Sequence, residues 1–527
     1  MSGWSTESVP GPNGVVCSVD RQASACGVAV LQAGGNAVDA AVATSAALAV
    51  TTPHMCGMGG DLFALVHGPL NADAEPAVLN SSGRAGSGAD PDRLRSEGNT
   101  TMPFRGDVRS APVPGCVDGW TTLHGRFGAL PLADVLAPAI ALAEDGSSLS
   151  PLLAFTLSML EAVEGCEELT GADPDAAEIR RPGVARMLRA VVAEGRDGFY
   201  RGEFGEGLLA VGHGEYTEDD LARSQAEWVP GLALDVWGHR VWTVPPNSQG
   251  YLSLAGARIA ERAGLPFDPA DGLWAHLTVE AARMAGFDRP DLLHDRADGT
   301  ALIAPDRLDQ RAARIDPDRA ADVASLAAGG GTIFMCTADG AGNAVSLIQS
   351  NASGFGCHVA VPGSGVLLHN RGIGFSLRPG HPAEYGPGRR PPHTLSPALV
   401  TTTDGRLRTV LGSMGGDSQP QIVLQMLARL LHAGEDPGTI IGAPRWVLGR
   451  DGGSGFDVWE GDGDTHVRIE THAPDAWEDG LARRGHDVRR AESDVAGFGH
   501  AHLIDLTPDG PVGASDPRAI VGAALPA

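Results

Sequence analysis

The chain contains no lysine, so all 39 of its basic residues are arginine. That absence removes whole mechanisms: a Schiff-base lysine for pyridoxal phosphate, the lysine of a phosphate-binding loop and a Ser-Lys dyad. Positive charge is scarce overall. A formal charge of −26 and a pI near 4.9 argue against a nucleic-acid backbone or an anionic membrane surface as partner. The seven cysteines, at positions 17, 26, 56, 116, 166, 336 and 357, are odd in number and scattered, with no CxxC pair and no metal-like Cys/His spacing. Reduced, buried thiols, a cytoplasmic setting and no metal or organic cofactor are therefore expected. The first ten residues lack both the positive start and the apolar core of a signal peptide. The longest weakly polar stretch, Ala37 to Val50, is mostly alanine and contains Asp39. It is too short to span a bilayer and reads as a core helix.

What is present is a globular composition, 43% hydrophobic and 20% charged, in 527 residues. Such a length could hold several domains or one large sandwich. A short strand is expected at Gly14 to Val19. Helices follow at Ala23 to Ala33 and Ala37 to Val50, the first closed by Gly34-Gly35 and the second stopped before Pro53. The stretch Gly57-Met-Gly-Gly-Asp61 precedes the apolar run Leu62 to Val66, read as a buried strand, so it is not a phosphate loop, which needs a helix after its glycines. Residues 130 to 330 read as mostly helical, with amphipathic runs near Leu132 to Glu144, Arg186 to Glu194, Leu252 to Ala263 and Ala275 to Met284. The last third returns to strands and hairpins, with turns at Asp339-Gly340 and Asp404-Gly405. Strands at both ends with helices between predict an α+β, layered class.

Two stretches carry chemistry. Thr332 follows Gly329, Gly330 and Gly331 and opens a hairpin, Thr332 to Asp339 and then Asn343 to Gln349. A glycine run lets the peptide bond before a hydroxyl residue take a strained geometry, and a threonine freed at a new amino terminus carries nucleophile and base together. Taken alone, the run also reads as a linker ahead of an ordinary strand. The second stretch is Gly412-Ser-Met-Gly-Gly416, entered by the strand Leu407 to Leu411 and followed by a helix through Val423 to Leu431 that Asp417 or Ser418 can cap. Glycines at a helix start offer bare N–H groups to a negative oxygen, the construction of an oxyanion hole.

Together with these two, a series of motifs resembles the gamma-glutamyltransferase (gamma-glutamyltranspeptidase) family of N-terminal-nucleophile hydrolases, in the family's order and over almost the whole chain. The series runs from Ala33-Gly-Gly-Asn-Ala-Val-Asp-Ala-Ala41 through Pro53-His-Met-Cys-Gly-Met-Gly-Gly-Asp61, Ser82-Gly-Arg-Ala85 and Val113-Pro-Gly-Cys-Val-Asp-Gly-Trp120. It continues with Gly342-Asn-Ala-Val345, Gly354-Phe-Gly356, Ser396-Pro397 and Gly513-Ala-Ser-Asp-Pro-Arg518. The resemblance implies a four-layer αββα sandwich made as a proenzyme. Cleavage between Gly331 and Thr332 would give a large subunit, residues 1–331, and a small one, residues 332–527, with room for a dimer of such heterodimers. It further implies Thr332 as nucleophile and Ser350 as a second hydroxyl hydrogen-bonding the nucleophile's amine. Gly415 and Gly416 match the oxyanion-hole glycines, and Arg84 the residue gripping a substrate carboxylate, a task suited to a guanidinium fork.

The departures concern the substrate. Phe334 stands where well-characterised members have His, Arg371 and Gly374 stand for a Gln and an Asp, His393 and Thr394 replace paired serines, and Ala352 replaces an Asn. Arg371, His393 and Thr394 are accordingly candidate substrate-binding residues. Gly374 removes the carboxylate that pairs with a glutamyl α-ammonium, and an unpaired buried ammonium is costly. The expected activity is acyl hydrolysis or transfer on a small carboxylate-bearing molecule. Two alternatives stand beside it: a secondary-metabolism member, since relatives act in antibiotic pathways, cleaving a non-glutamyl amide or a C–C bond next to a carbonyl; and a non-catalytic binding protein on the same fold.

Overall fold

A computed structural model of the chain describes residues 4, 6–157, 160, 163–321, 331–450, 465–492 and 497–527. Gly329 and Gly330 lie outside the described residues, whereas Gly331 and Thr332 open a strand, Gly331–Asp339.

Two seven-stranded sheets form the centre, and every neighbouring pair in each is antiparallel. The first runs, edge to edge, Ala523–Pro526, Gly14–Ser18, Gly331–Asp339, Ala344–Ala352, Asp61–His67, Ala77–Ser81 and Glu227–Val229. The second runs Val9–Pro10, Gly510–Ser515, Ala501–Thr507, Leu407–Ser413, Ala398–Thr402, His239–Thr243 and Leu232–Val236. Their facing sides bury Val15, Phe63, Phe334 and Ile348 from one sheet against Trp242, Leu399, Val410 and Ile504 from the other.

Helices cover both outer faces. Arg21–Gln32, Ala37–Thr51, Leu132–Asp145 and Pro182–Glu194 build a core on the first sheet, and Tyr251–Arg262, Gly272–Gly286 and Gln419–Leu427 one on the second. Ala37–Thr51 is buried along its whole length because its side chains are nearly all small, which lets it lie flat against a sheet and a neighbouring helix at once. Its start is fixed by a capping box: the Asn36 side chain accepts from Val38 and Asp39 N–H, and Asp39 accepts from Asn36 N–H. The result is the expected α+β, four-layer αββα sandwich.

One expectation fails inside the region read as mostly helical. Glu227–Val229, Leu232–Val236 and His239–Thr243 are strands, one at the edge of the first sheet and two at the edge of the second. They are three to five residues long, too short for a clear alternation, and tertiary pairing decides them. Both sheets also interleave segments from before and after Gly331, since Gly14–Ser18 and Asp61–His67 flank the hairpin Gly331–Ala352.

Candidate active site

Thr332 sits at an irregularity of its strand. Gly331 pairs with Ala352 and Ile333 with Gln349, so two residue steps on one strand face three on the other and the register shifts at Thr332. The extra residue belongs to the partner strand, so the bulge sets Ser350 and Asn351 opposite Thr332 and interrupts pairing there. The Thr332 side chain is buried, and its Oγ1 lies 2.9 Å from Ser350 Oγ, either oxygen able to donate. Ser350 Oγ also accepts the Ala352 N–H at 2.8 Å. Ala352 itself takes a left-handed φ of 69°.

The second sheet brings the glycine loop to the same end. Ser346 Oγ donates to Leu411 O, and Gly412 packs so closely on the Phe334 ring that a Cβ there would be 2.5 Å from it. Moving along the strand from Leu411 therefore means moving toward Thr332 on the facing one, and Gly415 and Gly416 lie beyond its start. Both glycines have positive φ, 139° and 56°, a conformation that side chains resist. Among the described residues neither N–H has an acceptor. Their carbonyls are held instead. Ser418 N–H and Oγ donate to Gly415 O, and the Gln249 side-chain amide bridges Gly416 O and Thr394 O at 3.1 and 3.0 Å. Ser418 is the N-cap of Gln419–Leu427, but its hydroxyl makes no capping bond to that helix. The expected cap is thus replaced by a hook on the loop.

Arg371, which opens the short 3-10 turn Arg371–Gly374, is buried and donates from Nη1 to Thr394 Oγ1 at 3.1 Å. The preceding Asn370 N–H donates to Asn351 O, beside Ser350. A Cβ on Gly374 would lie 2.5 Å from Pro392 O and 3.1 Å from Arg371 Nη2, so space, and not backbone conformation, opposes a side chain there.

Arg84 is mostly buried, with 13% of its side chain exposed, and its Nη2 donates to Glu227 Oε2 at 3.1 Å. Arg390 donates to the same oxygen at 3.0 Å. Burial, with Arg390 and Arg223 nearby, disfavours the Arg84 charge, and Glu227 offsets part of this.

Between these groups lies a residue to which the sequence reading gave no role. Asp61 is the register partner of Ser350 on the adjoining strand. Its Oδ1 accepts Gly83 N–H at 2.8 Å, and its Oδ2 accepts from His393 Nε2 at 2.9 Å, with His369 Nδ1 at 3.5 Å. Burial would raise the Asp61 carboxyl, but His369 and the His393 hydrogen bond outweigh it and hold it below the usual range. Leu395 N–H donates to His393 Nδ1 at 3.3 Å, which leaves the proton on Nε2. Burial pushes His393 down to about 4 despite Asp61, so the ring is neutral. Both of its nitrogens are engaged within the protein. Asp61 and Gln249 are the functional groups missed from sequence. The only signal for Asp61 was its place at the end of Gly57-Met-Gly-Gly-Asp61; nothing local marked Gln249.

Among the described residues no His/Cys/Asp/Glu group is arranged to hold a metal ion, and no helix is long and apolar enough to cross a membrane. All seven cysteines are free and buried.

Comparison with known proteins bears on this arrangement. Residues 23–525 match the family described as gamma-glutamyltranspeptidase. The oxamate amidohydrolase proenzyme of Klebsiella pneumoniae is 35% identical over 96% of this chain and 97% of its own. The glutathione hydrolase-like YwrD proenzyme of Bacillus subtilis is 34% identical over 97% and 98%. In three dimensions, the cephalosporin acylase of Bacillus halodurans superposes with a TM-score of 0.88 at 31% identity, covering 100% of this chain and 98% of that one.

Proposed function

The chain belongs to the gamma-glutamyltranspeptidase family and is an enzyme of that hydrolase and transferase class, and from this premise we propose that it matures by self-cleavage between Gly331 and Thr332 and then hydrolyses the amide of a small carboxylate-bearing substrate. The observation that carries the reading is the 2.9 Å contact of Thr332 Oγ1 with Ser350 Oγ at a strand bulge.

In maturation, the Thr332 hydroxyl adds to the Gly331 carbonyl, the C–N bond breaks, and the Thr332 nitrogen takes the proton. Water hydrolyses the resulting ester to a Gly331 carboxylate and a free Thr332 hydroxyl beside its own amine. Residues 1–331 and 332–527 then stay together without a covalent link, because both sheets interleave them. In turnover, the same hydroxyl takes the acyl group, the amine leaves with a proton, and water releases the acid. Ser350 orients the nucleophile. The Gly415 and Gly416 N–H groups receive the negative oxygen of each tetrahedral state. Arg84 grips the substrate carboxylate as a fork, with Arg371 and Thr394 as further contacts and His393 holding Thr394 in place.

The charge balance of the site supports a substrate without a free ammonium. Asp61 faces Gly83 N–H and two histidines, Asp417 faces Arg289 at 3.1 Å, and Glu227 faces Arg84 and Arg390. Each of these carboxylates is already engaged, whereas cations border the site on two sides. A donor carrying an ammonium would have to break one of these pairs or stay unpaired. The similarity to an oxamate amidohydrolase proenzyme supports the same class. The test compares the cleaved enzyme on oxamate, succinamate and gamma-glutamyl anilide. We expect kcat/KM on the better ammonium-free amide to exceed that on the anilide at least about tenfold, the equivalent of about 1.4 kcal/mol. The reverse order contradicts the proposal.

A further inference from the structure

We propose that Asp61 is a positioning residue for substrate binding, a side chain that ties the segments carrying Arg84 and Thr394 to the strand beside Ser350; this rests on the reading of the site given above. Its backbone pairs with Ser350 in the first sheet, so it stands directly beside the hydroxyl that touches Thr332. From there its two carboxylate oxygens reach in different directions. Oδ1 takes Gly83 N–H, and the next residue along the chain is Arg84. Oδ2 takes His393 Nε2–H, and the next residue is Thr394, which holds Arg371.

The chemistry of the contacts explains why a carboxylate is needed. Gly83 N–H and His393 Nε2–H are both donors, and a carboxylate accepts on both oxygens, whereas an amide of the same shape must turn its NH2 group toward one of them. A buried donor left facing another donor loses its bond and pushes its loop away. Asp61 is fully buried and the pair is spatially closed: Gly115 packs so near that a Cβ there would be 3.3 Å from Asp61 Oδ1. The loops it holds therefore cannot shift independently of it. His393 completes the link because Nδ1 accepts Leu395 N–H, which fixes the ring with Nε2–H toward Asp61. Phe63 packs edge-on against that ring at 4.9 Å and prevents its rotation.

The role is exerted through Arg84 and Thr394, so its loss weakens capture of the substrate and leaves the chemistry at Thr332 in place. The experiment uses the full chain and compares Asp61→Asn, His393→Leu and His393→Gln with wild type. It reads completeness of self-cleavage by intact mass, kcat and KM for oxamate, and Kd for oxalate by calorimetry on the cleaved protein. We expect Asp61→Asn and His393→Leu to be cleaved, with KM and Kd raised about tenfold or more and kcat within about threefold, the split that marks lost binding. His393→Gln keeps an N–H donor toward Asp61 and should recover at least about threefold in KM relative to His393→Leu. Equal KM in wild type and Asp61→Asn overturns the proposal, as does a fall in kcat at constant KM. If Asp61→Asn does not fold, the histidine pair decides, and equal values for the Leu and Gln variants overturn it. A cleaved wild-type protein that neither hydrolyses oxamate nor binds oxalate contradicts the carboxylate reading and this inference together, whereas unchanged Kd in the variants contradicts this inference alone.

Discussion

Arg84 is held by Glu227 through one nitrogen and by the Ser224 carbonyl at 3.4 Å through another, so its planar head is aimed before any substrate arrives. A lysine at that position keeps the charge but not the fork. Arg84→Lys should cost about 1.5–3 kcal/mol of substrate binding, the range for a hydrogen bond to a charged group, seen as a raised KM on the carboxylate substrate. Unchanged kinetics would remove Arg84 from the site. Gly374 makes a second prediction at this scale. Its missing side chain invites restoration of an aspartate to capture an ammonium, but a Cβ would meet the Pro392 carbonyl at 2.5 Å. Gly374→Asp should therefore destabilise the fold by about 1–3 kcal/mol, as other overpacked sites do, and bring no gain on gamma-glutamyl anilide. Improved turnover of the anilide by a variant of wild-type stability would contradict this. At the scale of residues, what was legible in the sequence was carried by short motifs, the candidates Thr332 after its glycines and Gly415 and Gly416 before a helix, with Ser350 added by the family resemblance. Asp61 was not, because its meaning depends on His393, 332 positions away, and no local pattern announces a contact of that range.

Among elements, the loop from Gly415 to Ser418 has a geometry that only glycine supports. A Cβ on Gly415 would lie 2.5 Å from Ser418 Oγ, the atom that hooks the Gly415 carbonyl, and its φ of 139° is hostile to any L side chain. Gly415→Ala should displace the hook and misdirect the N–H groups proposed to receive the oxyanion. The expected loss is about 10²–10³ in kcat with KM little changed, the cost of losing one oxyanion donor. Steady-state kinetics on cleaved protein checks this, and an unaltered kcat would place the oxyanion hole elsewhere. The same loop shows the limit of reading capping from sequence: Ser418 stands at the expected N-cap, yet tertiary packing turns its hydroxyl back to Gly415. The long helices were legible from their apolar spacing, and Ala37–Thr51 was found within one residue of its expected end. The strands from Glu227 to Thr243 were not, because segments this short become strands only through the sheets they complete.

At the scale of the whole molecule, buried histidines govern the response to acid. Burial pushes His54, His486 and His502 down to about 3 and His393 to about 4, so all four stay neutral in the fold. In the unfolded chain they take up a proton below about 6.5. The unfolded state thus binds more protons, and stability falls as pH drops through 6.5 toward the folded values, by about 2 kcal/mol for each histidine at pH 5. Glu215, raised to about 7 by burial, and Asp20, also raised by burial, act in the opposite sense but are two groups against these four. Scanning calorimetry should give a lower Tm at pH 5 than at pH 7.5; an equal or higher one would mean that these histidines are not held neutral. The interleaving of both seven-stranded sheets across Gly331 bears on maturation as well, because a cut there leaves neither half with a complete central sheet. The most direct test of the account is the denaturing intact mass of the purified protein and of its Thr332→Ala variant. The account predicts two polypeptides from the wild type, ending at Gly331 and beginning at Thr332, which run as one particle before denaturation, and a single uncut, inactive chain from the variant. A single full-length wild-type chain with amidase activity, or a variant cut at the same bond, would contradict it.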